Sequence, residues 1–122
     1  MYAIQYSRHV SSPRELATTL SDVTPAEYVR FVADWMADAD RLDEAPALTG
    51  DVVVDALVAA AAAEVAVRRG APIPAWTEEP ERTSPTLWYR GPAALLPNAL
   101  VHAPLSFVLH GVLVEADSLV SV

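Results

Sequence analysis

The chain has 122 residues, no cysteine, 52% apolar residues and 20% charged ones. This balance builds one hydrophobic core and excludes disulfides, thiolate metal sites and a disordered acidic tail. Its 8 basic residues are all arginine and stand against 16 acids, for a net charge of −8 with neutral histidines, which disfavours a phosphate-binding surface and direct contact with nucleic acid.

The opening, MYAIQYSRHV, has no basic leader with an apolar run and a small-residue cleavage site, so the expected compartment is cytoplasmic. Two helix starts follow in the same style. Ser12-Pro13-Arg14-Glu15 and Thr24-Pro25-Ala26-Glu27 each offer a hydroxyl cap, a proline at the first helical position and a glutamate reaching back. The first predicts a short helix over Pro13–Leu20. The second predicts a longer one whose apolar stripe is Tyr28, Phe31, Val32, Trp35, Met36, Ala39 and Leu42.

Thr49-Gly50-Asp51 can cap a third helix from Val52 to Arg69, closed by Gly70 with two arginines in its last turn. It is apolar on nearly every side, which predicts a central position, and alanine-rich sides let neighbours approach closely. The apolar run Val52–Val67 is interrupted by Asp55 and Glu64 and is shorter than the ~20 residues of a bilayer span, so no membrane anchor is expected.

Seven of the ten prolines lie between Ala71 and Pro104, which rules out long regular elements there. Pro72-Ile73-Pro74-Ala75-Trp76 is expected to be extended, a strap laid on the helices with Ile73 and Trp76 buried. Ala93–Val101 and Pro104–His110 predict two short helices, the latter closed by Gly111. Val112–Val114 then reads as a short extended run, with a last turn at Ala116–Leu119. The expected fold is mainly α, a small single-domain helical bundle of about three N-terminal helices plus short C-terminal helices. It has three parts: an extension and short helix over 1–23, a two-helix core over 24–70, and the strap with short helices over 71–122.

Charge is unevenly placed, since residues 34–64 hold eight acids and one arginine. Asp34, Asp38, Asp40, Asp43 and Glu44 raise a local negative potential suited to a basic protein partner, and their spacing fits no calcium loop. Glu64 and Arg68 sit one helical turn apart on a side expected to be covered, a buried or half-buried ion pair that sets helix register or readies the arginine for a ligand. With Trp76, Trp88 and Tyr89 they outline a pocket between the third helix and the strap, which gives the alternative reading of a small-molecule-sensing domain, although aromatics in such a strap more often pin it to the core. His9, His102 and His110 lack metal-ligand spacing, and there is neither a nucleophile elbow nor a glycine-rich phosphate loop. The expectation is therefore no enzyme, no cofactor and no metal.

Beyond these features, one pattern is more specific. Ala63-Glu64, Arg69-Gly70, Pro72-x-Pro74-Ala75-Trp76, Pro80-Glu81-Arg82, Leu87-Trp88-Tyr89 and a tail running from Leu100-Val101 through Pro104, Phe107 and Gly111 to Val114 span about half the chain. In order and spacing they resemble the C-terminal helical domain of actinobacterial XRE-type helix-turn-helix regulators and antitoxins. Two departures stand out: about 23 residues before Thr24 are too few for a helix-turn-helix domain, and Leu105–His110 stands where the relatives tend to carry arginines. The resemblance thus implies an antitoxin-like or regulatory module that binds a protein partner, a toxin or a regulator, without reading DNA itself. The apolar runs Leu105–Val114 and Leu119–Val122 add a patch able to pair in a homodimer or dock on that partner.

Overall fold

The computed structural model describes residues 12–120; His9 lies outside them. The chain is mainly α, a single compact domain with five α-helices among the described residues: α1 (Pro13–Ser21), α2 (Tyr28–Asp38), α3 (Val52–Arg69), α4 (Leu96–His102) and α5 (Leu105–Leu109). Short 3-10 turns at Pro25–Glu27, Ala75–Glu78, Pro80–Arg82, Ala93–Leu95 and Ala116–Leu119 complete it. There is no strand among the described residues; Trp88 and Val112 form one isolated parallel bridge.

The local sequence accounts for the two best-defined helix ends. At α1 the reciprocal capping box forms, with Glu15 N donating to Ser12 Oγ at 3.3 Å and Ser12 N donating to Glu15 Oε1 at 2.9 Å. At α3 the Asp51 carboxylate accepts from Val53 N and Val54 N, and Gly70 closes the helix in the left-handed region at φ 66° while Ala71 N donates back to the Ala66 carbonyl.

The second predicted capping box does not form. Thr24 leads into a 3-10 turn in which Glu27 N donates to the Thr24 backbone carbonyl at 2.9 Å, and the Thr24 side chain makes no capping bond. The α2 stripe is also shorter than its periodicity implies. The chain leaves the helix at Ala39 (ψ 133°), because distant groups use the backbone beyond that point: Arg69 Nη2 donates to the Ala39 carbonyl and Trp76 Nε1 to that of Leu42.

α3 forms the axis of the domain. It packs against α1, α2, α5 and the two 3-10 turns of the strap, and Ala59, Ala60, Ala61, Ala62 and Ala63 are all buried. With only methyl groups on this stretch, neighbours can seat on every side. Leu16, Leu20, Val32, Leu57 and Phe107 fill the spaces between helices, each contributing about 1.5–3 kcal/mol by burial. No helix among the described residues is long and apolar enough to cross a membrane.

The strap departs from a simple extended segment. Trp76 is buried as expected, but within a 3-10 turn, and Ile73 is 44% exposed. The strap is held by hydrogen bonds that leave Ile73 outside: Trp76 reaches the Leu42 carbonyl at 2.8 Å, and Arg82 Nη2 reaches the Pro46 carbonyl at 2.7 Å.

Candidate functional site

Asp34, Asp38, Asp40, Asp43 and Glu44 are all exposed. Asp34 and Asp38 come from the outer face of α2, and the other three from the irregular segment that follows. The structure brings the first two to the edge of an open cavity of about 500 Å³ between α1 and α2, lined also by Arg14, Thr18, Phe31 and Trp35. The floor is fixed by Trp35, whose Nε1 donates to the Ser12 carbonyl at 3.0 Å. On the same helix, the Arg30 guanidinium lies 4.3 Å from the Phe31 ring centroid and 3.6 Å from Glu27. The groove therefore offers aromatic surface beside carboxylates.

The acidic excess of residues 34–64 is not all surface. Asp55 is 4% exposed and spent on structure, its Oδ1 accepting from Thr49 N and Thr49 Oγ1, both at 2.9 Å. Glu64 pairs with Arg68 at 2.9 Å, the carboxylate side chain largely covered and the guanidinium nearly half exposed. This is a half-buried i,i+4 ion pair with its guanidinium turned towards solvent.

Of the five residues expected to outline a pocket, Trp88 and Tyr89 line one cavity together, and Glu64, Arg68 and Trp76 are not among its lining residues. Trp76 fills its own space, with Arg82 4.9 Å from its ring centroid. Trp88 is half-buried against Tyr28, ring centroids 6.1 Å apart, and Tyr89 Oη donates to the Pro92 carbonyl at 3.1 Å. Trp88 and Tyr89 border a cavity of about 200 Å³ with Arg90 and Leu113. A separate cavity of about 230 Å³ lies between α3, the strap and α5, lined by Ala63, Ile73, Thr77, Ser106, Leu109 and His110 among others. Both are smaller than the roughly 300 Å³ at which ligand pockets usually begin.

Two buried polar side chains were not foreseen in these roles. His110 sits between backbone carbonyls, Nδ1 2.7 Å from Ser106 O and Nε2 2.7 Å from Thr77 O. Both partners only accept, so a neutral ring donates to one of them and a doubly protonated ring to both. Arg82 is 3% exposed, with Nε donating to Glu79 Oε1 at 3.0 Å and Nη2 to Pro46 O. Each joins segments more than thirty residues apart, a relation no local spacing announces. His102 is exposed, its Nδ1 2.8 Å from the Asn98 carbonyl.

Among the described residues no group of three or more His, Asp or Glu side chains could hold a metal ion. Among the described residues, burial pushes the Tyr28 phenol above its ordinary range, and the Asp51 carboxylate adds in the same direction. No protein-family model, curated protein or solved structure matches the chain.

Proposed function

We propose that this chain is a non-enzymatic protein-interaction module, antitoxin-like or regulatory, that binds the basic face of a protein partner. The observation carrying this reading is the meeting of Asp34 and Asp38 with Phe31 and Trp35 at the α1–α2 groove, flanked along the chain by exposed Asp40, Asp43 and Glu44. Aromatic surface supplies contact area, and the carboxylates steer a partner rich in Arg or Lys, acting on association rate more than on affinity. The resemblance to the C-terminal domain of actinobacterial XRE-type regulators and antitoxins points the same way, to neutralising or regulating a protein rather than reading DNA.

The test is affinity capture of the tagged full chain from host lysate at low salt, with elution at high salt and mass spectrometry, beside an Asp38→Arg/Asp43→Arg/Glu44→Arg variant. A stoichiometric partner held by the native chain, released by salt and missed by the variant is expected. A partner held equally by both, or recovery of the chain alone, overturns the reading.

A further inference from the structure

We infer that the cavity between α3, the strap and α5 receives a single arginine side chain presented by a protein partner. Its polar lining is built to accept hydrogen bonds. Thr77 Oγ1 spends its proton on the Pro74 carbonyl at 2.7 Å, so this hydroxyl offers the cavity only lone pairs. Both ring nitrogens of His110 are held by the Ser106 and Thr77 carbonyls, which leaves the ring no nitrogen for a ligand. Glu78 adds a carboxylate to the lining, and this carboxylate has no ion pair or hydrogen bond among the described residues. Ser106 lines the same space from α5; it is 8% exposed, and its hydroxyl has no partner among the described residues either. A polar group so covered is normally bonded, and the nearest space for a bonding partner is the cavity.

Charge and size select the occupant. Glu78 is the only acid in the lining and no arginine opposes it, so a cationic donor is favoured over a neutral one. A guanidinium brings a planar fork of N–H donors and suits several acceptors around one space better than a compact ammonium does. The cavity measures about 230 Å³; at ~30 Å³ for each water-sized group it holds about seven or eight non-hydrogen atoms, the size of one arginine side chain. No room remains for the amino and carboxyl groups of a free amino acid, and the lining has no arginine to hold that carboxylate, so the side chain arrives on a polypeptide. Ile73 and Leu109, 44% and 65% exposed, belong to the same lining and cover the methylene stem while its head reaches Glu78 and Ser106. The cavity shares no lining residue with the α1–α2 groove, so the inference stands apart from the acidic surface.

The test is an amide NMR titration of the isotope-labelled full chain with N-acetyl-argininamide up to about 50 mM. Two further ligands run beside it: the citrulline analogue, which keeps the shape and loses the charge, and free arginine. Saturable shifts are expected at Thr77, Glu78, Ser106 and His110, with a Kd on the order of a few mM for so small a fragment. The citrulline analogue should bind at least ~10-fold more weakly, and free arginine no more tightly than the capped probe. Glu78→Gln, at an exposed position, should weaken the capped probe about 5- to 10-fold; Ser106→Ala, from another element, should weaken it about 3-fold. Absence of saturable shifts at these residues overturns the inference, as does equal binding of the citrulline analogue or indifference to both variants. Tighter binding of free arginine overturns the assignment to a protein partner. Shifts confined to Phe31, Asp34 and Asp38 overturn the inference while leaving the acidic groove its own reading.

Discussion

Trp76 Nε1 donates to the Leu42 carbonyl at 2.8 Å, and together with the Arg82–Pro46 bond it ties the proline-rich strap to the segment leaving α2. The indole is buried and the Arg82 guanidinium packs on its face. Trp76→Phe removes the donor and part of the fill, so we expect a loss of roughly 2 kcal/mol, and Trp76→Ala about 3–5 kcal/mol. Urea denaturation checks both. A loss below a few tenths of a kcal/mol for Trp76→Phe would mean that the strap is not anchored here.

Two left-handed glycines are expected to differ sharply. Gly70 has φ 66° and open space where a Cβ would stand, whereas Gly111 has φ 74° and the Ser84 carbonyl oxygen 2.5 Å from that point. Gly70→Ala should cost about 1 kcal/mol, the backbone term alone. Gly111→Ala adds a clash with backbone and should cost about 3 kcal/mol or more. Equal melting temperatures for the two variants would contradict this.

His110 bridges α5 and the strap through two carbonyls, each 2.7 Å away. His110→Leu leaves those carbonyls without the ring and is expected to destabilise the fold by about 2–4 kcal/mol. His110→Gln keeps an amide donor and should recover part of it. Native-state hydrogen exchange at α5 reports the same contact locally: protection there should drop in the leucine variant before that of α3 does.

Tyr28 sets an alkaline limit. Its phenol is raised by burial first and by Asp51 second, so the unfolded chain ionises near the ordinary value of about 10 while the folded chain still holds the proton. Stability is therefore complete below about pH 10 and is lost as pH rises through the raised folded value. In denaturation series from about pH 8 to about pH 11, Tyr28→Phe should flatten this decline; an identical slope in the variant would place its origin elsewhere.

Acidic residues should divide into two kinds on substitution. Asp55→Ala removes the acceptor of two Thr49 bonds in the first turn of α3 and should cost about 1–2 kcal/mol. Asp38→Ala, exposed at the end of α2, should leave the melting temperature unchanged while altering the association rate of the captured partner and its salt dependence.

The reach of the sequence follows the range of the interactions. α1 and α3 are legible because their caps lie within a few residues: Ser12 with Glu15, Asp51 with Val53 and Val54, and Gly70 behind Arg69. The end of α2 is not, because carbonyls of Ala39 and Leu42 are taken by side chains some thirty residues away. Ile73 was expected inside on apolarity alone, yet the strap turns on Trp76 and Arg82 and leaves it out. In the candidate site, the acidic cluster could be read from local density, but its union with Phe31 and Trp35 depends on how α1 meets α2. His110 and Arg82 escaped because their partners are backbone carbonyls, which carry no sequence identity.

The unbroken burial of Ala59 to Ala63 has a consequence for how this chain can vary. On an ordinary amphipathic helix, every second or third position is open to substitution; here five consecutive positions each face a neighbour, and any side chain larger than a methyl group must push one away. Saturation mutagenesis should find this stretch accepting little beyond glycine or serine, while the exposed residues at the rim of the α1–α2 groove and on the outer side of α4 tolerate most changes. Divergence is thus channelled to the periphery, and binding preferences can be rewritten around an axis that itself stays nearly fixed.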